Sequence, residues 1–106
     1  MKVTTHHWLV LVTVPNKKIR ERLTTVLLEE KLAACVASFP VSSQYRWKEK
    51  IERAKEFQLF IKTAAPIERL KRRIVELHPY EVPEVLAFEV KKGLAEYLTW
   101  MRRESG

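Results

Sequence analysis

The chain has 106 residues, 46% of them hydrophobic, with 20 Lys and Arg against 13 acidic residues that are all Glu. This is one domain, residues 1–106, with material for a real core; the lack of Asp excludes an Asp-oriented catalytic triad and an Asp-rich calcium or magnesium loop. A single Cys excludes an internal disulfide framework and agrees with a reducing compartment. No apolar run is long enough to cross a bilayer and the start lacks a signal-peptide layout, so the expected location is cytoplasmic, with no membrane partner.

Residues 1–7 are polar and read as a loose lead-in. Residues 9–14 form a continuous apolar run ended by Pro15, the pattern of a central strand buried on both faces. Asn16 is placed to cap a helix over 17–32, where Ile19, Leu23, Val26, Leu27 and Leu28 recur at helical spacing. The run 34–63 then dominates the chain. Cys35, Ala37, Phe39, Val41, Tyr45 and Trp47 share one parity; further on, Phe57, Leu59 and Ile61 alternate with Gln58, Phe60 and Lys62. The charged stretch between them predicts a long hairpin turning near Lys48, Glu49 and Lys50. Strands of this length overshoot a domain of this size, so the ribbon projects and calls for a partner that covers Tyr45 and Trp47.

After Thr63, Pro66 suits a helix start, Ile67, Leu70, Ile74 and Leu77 make its apolar stripe, and Pro79 ends it at His78. Residues 85–90 read as a buried fourth strand, and Gly93 opens a last short helix with Leu94, Tyr97, Leu98 and Met101. The order βαββαβ plus a C-terminal helix is that of an α+β, ferredoxin-like sandwich: an antiparallel four-stranded sheet with two helices on one face.

The net charge of +7 raises a nucleic-acid partner, but the basic residues are scattered on helix faces and interleaved with Glu, which is the pattern of a solvated surface; no nucleic-acid partner is expected. High charge with two Gly, one Asn and two Gln resembles the composition of thermostable proteins. Fold alone does not set function. The RNA-recognition pattern fails because residues 55–60 lack its glycines and place Leu59 where an aromatic belongs. Residues 13–16 hold neither the two-cysteine loop of a copper chaperone nor the glycine-rich, arginine-bearing loop of an acyl-phosphate hydrolase. No nucleophile has an evident base and orienting acid, so no enzyme activity is expected.

The remaining signal is residues 78–84, His-Pro-Tyr-Glu-Val-Pro-Glu, where two prolines hold Tyr80, Glu81 and Glu84 beside the sheet. This segment, with residues 32–36, Tyr45 and Trp47, residues 50–52, Lys62-Thr63, Gly93, Tyr97-Leu98 and Trp100, resembles the CutA family of divalent-cation tolerance proteins over nearly the whole domain. The resemblance implies a cytoplasmic homotrimer whose long hairpins wrap neighbouring subunits, linked to tolerance of copper and other divalent metals. Ala37, Glu49 and Leu94-Ala95 depart from the family pattern. Val12 and Leu77 stand where some relatives carry a second cysteine and a second histidine, which leaves any copper site thinner here.

On that resemblance Cys35 and His78 are the best soft donors for copper or another divalent metal ion, with Glu84 beside them. Each has an ordinary reading as well. Cys35 suits a small core residue and His78 a helix C-terminus. Tyr45, Trp47, Tyr80 and Trp100 suit subunit packing, Lys62 and Glu84 an intersubunit pair or cleft, and His6 and His7 an exposed lead-in. Two functions follow: a homotrimeric divalent-cation tolerance protein, or a trimeric signalling or scaffold protein binding a small anion or a protein partner at intersubunit clefts.

Overall fold

In the computed structural model, residues 5–106 are described; the first four residues of the expected lead-in lie outside them. Strand β1, Trp8–Val14, is followed by helix α1, Lys17–Glu29; the long strands β2, Cys35–Trp47, and β3, Lys50–Thr63; helix α2, Ile67–Leu77; strand β4, Leu86–Glu89; and helix α3, Ala95–Glu104. The sheet order is β2-β3-β1-β4 with every neighbour antiparallel, which is the ferredoxin-like arrangement.

Local chemistry sets the element ends. The Asn16 side chain accepts a hydrogen bond from the Ile19 N–H at 2.9 Å and starts α1. That helix stops three residues before the apolar spacing predicts. Lys31 takes a left-handed φ of 58°, and the N–H groups of Lys31 and Leu32 reach back to Leu28 and Leu27 in a Schellman closure with Lys where Gly is usual. At the ribbon tip both turn residues, Lys48 and Glu49, have positive φ, 49° and 68°, as a two-residue type I′ turn requires, and again without glycine.

One side of the sheet makes the core. Val10, Val12, Val14, Leu59 and Ile61 point under α1 and α2 and meet Leu23, Leu27, Leu70 and Ile74, all essentially without solvent access. The other side carries neither α1 nor α2; α3 reaches only its end, where the Lys62 ammonium lies 5.8 Å from the Tyr97 ring. Register aligns Ala37, Phe60, Leu11 and Leu86 across it in one row and Cys35, Lys62, Leu9 and Phe88 in the next. Leu86 and Phe88 are about half exposed, which corrects the expectation of a buried fourth strand: β4 is an edge strand whose large residues face the uncovered side. By the same geometry β1 is fully buried only on its helix side.

Beyond the pair Val14 and Phe57, β2 and β3 bond only to each other. The free ribbon is about 23 Å long at 3.3 Å per residue. It gives the chain extents of 50 × 25 × 23 Å and a radius of gyration of 14.7 Å, against about 13 Å for a compact chain of this length. No described helix is long and apolar enough to cross a membrane.

Candidate functional site

The segment 78–84 is pinned where the ribbon leaves the sheet. Pro79 keeps His78 out of helical conformation, and His78 closes α2 with φ −86° and ψ 134°, its N–H on the Ile74 carbonyl. Its ring turns inward. Nε2–H donates to the Thr13 carbonyl at 2.7 Å, and Nδ1 accepts the Tyr80 N–H at 3.2 Å. A carbonyl only accepts, so these partners fix the Nε2–H tautomer and use both ring nitrogens. His78 is 8% exposed, and its ring acts as a staple between the loop and the end of β1.

Tyr80 continues the join. Its ring lies 4.7 Å from that of His78, and its hydroxyl donates to Glu56 Oε2 at 2.6 Å. Burial first, then the bond to Glu56, pushes the phenol well above its ordinary value, so Tyr80 keeps its proton and serves as a hydrogen-bond donor to Glu56. Glu84 accepts from Gln58 Nε2 at 2.9 Å, and the same amide donates to the Val12 carbonyl at 3.2 Å. Between loop and ribbon lies a cleft of about 620 Å³, bordered by Tyr45 and Trp47 on one side, Tyr80 and Glu84 on the other, and Glu56 in the floor.

The expected site residues therefore fall into two groups. His78, Tyr80, Glu84, Tyr45 and Trp47 gather at the ribbon end, with Tyr45 43% and Trp47 39% exposed. Cys35, Lys62 and Trp100 gather at the other end of the sheet. There Cys35 pairs directly with Lys62, whose ammonium lies 5.8 Å from the Tyr97 ring, itself 5.3 Å from Trp100. The register places Lys62 opposite Leu9 and Gln58 opposite Thr13, four residues apart along β1, or about 13 Å. Within one subunit Cys35 and His78 do not share a site, Glu84 bonds Gln58 rather than Lys62, and no three His, Cys or Glu side chains converge for a metal among the described residues.

Sequence reasoning missed Glu56. The signal was available, since Glu56 continues the face of Gln58, Phe60 and Lys62 by one step of two. His7 also differs from its expectation: it is 7% exposed and donates to the Leu98 carbonyl at 3.1 Å, because β4 pairing continues through the Val90 N–H to the His7 carbonyl and α3 packs over it. His6 is exposed, as expected, with Nδ1 2.6 Å from Glu89.

These features define a class: ferredoxin-like α+β domains with one uncovered apolar sheet face and an extended hairpin set over a proline-framed cleft. Residues 8–104 match the CutA1 divalent ion tolerance protein family, and the chain belongs to that family. It is 40% identical over 99 residues to the divalent-cation tolerance protein CutA of Thermus thermophilus, covering 92% of this chain and 96% of that one. The structure of CutA1 from Oryza sativa superposes with a TM-score of 0.92 at 38% identity, covering 97% of this chain and 96% of the other. That of the Archaeoglobus fulgidus protein, described as a periplasmic divalent cation tolerance protein, gives 0.87 at 36% identity over 90% and 94% of the two chains.

Proposed function

We propose that the protein works as a homotrimer in tolerance of divalent metal ions, binding copper or another divalent ion rather than catalysing a reaction, and that it does so in the cytoplasm. The observation that carries the assembly is the uncovered sheet face: Leu86 and Phe88 are 52% and 53% exposed in line with Leu11, Leu9 and Phe60, and the ribbon beyond them adds exposed Tyr45 and Trp47 on the same face. A face of this kind is stable in water when other copies cover it. Family membership supports the metal role.

Cys35, His78 and Glu84 are the proposed donors. Their separation within one subunit requires that any site they share be completed between subunits, and His78 joins it only by giving up the Tyr80 N–H. Competition of the assembled protein with a chelator for copper tests this. Replacing Cys35 by Ser and His78 by Gln together is expected to weaken copper binding by about tenfold or more, the order of effect of lost ligand-shell groups. Unchanged affinity in the double variant removes these donors.

A second reading, a trimeric scaffold or signalling protein, is favoured by Lys62: its ammonium has no carboxylate within 4 Å among the described residues and sits over Tyr97 beside the open face. There it is placed to meet an anion or a partner's acidic group.

A further inference from the structure

We propose that a phosphoryl group, as free phosphate or a phosphate monoester, binds on the helix layer, in the notch between α1 and α2 where Arg69, Arg72 and Arg73 meet. This goes beyond the metal role. The notch lies on the layer opposite the sheet face that other copies are proposed to cover, so it depends neither on a metal nor on the assembly.

The use made of the acidic residues is the first support. Helices α1 and α2 carry eight Lys and Arg against four Glu, interleaved along the sequence but shared out unevenly in the fold. Glu21 pairs with Arg20 at 3.5 Å and Glu68 with Lys71 at 3.0 Å, whereas Glu30 and Glu76 both turn to Arg73, at 2.9 and 3.8 Å. Arg69 and Arg72 are exposed and have no carboxylate within 4 Å among the described residues.

Helical spacing supplies the second. Arg72 and Arg73 follow Arg69 by three and four residues, which sets all three guanidinium groups on one side of α2. Like charges so placed repel, and an anion between them converts that repulsion into attraction. They line a concavity of about 160 Å³ together with Glu30, Leu32 and Glu76. The carboxylates do not close it. Arg73 donates to both Glu30 oxygens at 2.9 Å, a bond that holds the Glu30 carboxyl low, with the Arg69 charge adding to the effect. Arg73 is thereby fixed as a wall of the notch, and the forks of Arg69 and Arg72 stay free.

The size and the donors select the kind of anion. A guanidinium presents paired N–H groups that match two oxygens of one phosphoryl group. Two such forks exceed what a carboxylate can accept, while a phosphoryl group brings three oxygens and a charge near −2. The notch is smaller than pockets that bury organic molecules, so it takes the phosphoryl group and leaves any organic part in solvent.

The test is an NMR titration of the full-length, assembled protein with inorganic phosphate and, separately, with phosphoserine, against sodium chloride at matched ionic strength. Arginine Nε–H and α2 amide signals are followed. Saturable shifts at Arg69 and Arg72 with either phosphoryl compound are expected, and the tighter of the two identifies the source. Arg69→Gln combined with Arg72→Gln alters only exposed positions, so the fold survives by circular dichroism, and binding is expected to weaken about tenfold or more. Lys71→Gln, turned away from the notch on the same helix, is expected to leave affinity unchanged. A linear response, an equal response to chloride, unchanged affinity in the double variant, or an equal loss in Lys71→Gln overturns the proposal.

Discussion

The inner and outer halves of β3 belong to one strand and live in different environments. From Phe57 to Thr63 the strand lies between β2 and β1 under two helices, and Leu59, Ile61 and Thr63 are fully buried. From Lys50 to Glu56 it has β2 as its only partner, and Ile51 is 61% exposed. A two-stranded ribbon is marginal by itself in water. The inner half therefore holds the subunit together, while the outer half is kept in place by what it touches: the 78–84 loop through Glu56 and Tyr80, and, in the proposed trimer, other copies.

The largest expected effect tests this contrast directly. Leu59→Ala is expected to cost about 2–5 kcal/mol, the range for emptying a well-packed core site. Ile51→Ala, eight residues away on the same strand, should change stability by less than about 0.5 kcal/mol, as exposed positions do. Denaturant unfolding of both variants reads the difference, and equal losses would break the comparison.

Next comes the join between the halves. Tyr80→Phe leaves the nearly buried Glu56 without its donor and is expected to cost about 1–3 kcal/mol. It should also change the alkaline limb of the stability profile. The Tyr80 pKa is raised on folding, so its contribution is complete below the unfolded value near 10. Above that pH the unfolded chain ionises first and stability falls. Unfolding at pH 9 and pH 11 should show this decline in the parent protein and a smaller one in Tyr80→Phe; parallel profiles would detach Tyr80 from the join.

Much of this division was legible in the residues. Period-two alternation over 34–63 revealed the hairpin and its turn, and the excess strand length revealed the projection, because both depend on local pattern. The early end of α1 was not legible, since Lys31 takes a left-handed backbone where sequence signals favour Gly. Nor was the exposure of β4, since an apolar run reads alike under a helix and on an open face. Residues 78–84 stood out through their prolines, whereas Glu56 resembled any other charge of the ribbon until the fold brought it to Tyr80.

A smaller effect is expected at the tip. Glu49→Gly relieves a left-handed backbone and should add about 0.5–1 kcal/mol after the flexibility glycine gives the unfolded chain. Amide exchange should slow in the ribbon more than in the core; a uniform change would mean that the two halves open together. The smallest effect is at the surface. Arg73 donates to both Glu30 oxygens at 2.9 Å, and that bond holds the Glu30 pKa below 4.5. Its contribution is present above pH 4.5 and is lost as pH falls through the lowered value. Glu30→Gln should flatten that acid limb slightly in an acid unfolding series and leave the ribbon unaffected.

The central claim, that the open face and the ribbon are completed by further copies of the chain, is tested most directly by native mass spectrometry of the untagged protein beside Phe88→Glu. The account predicts a mass three times that of the 12.5 kDa chain, falling toward one chain in Phe88→Glu while the fold persists by circular dichroism. A folded 12.5 kDa monomer of the parent protein would contradict it.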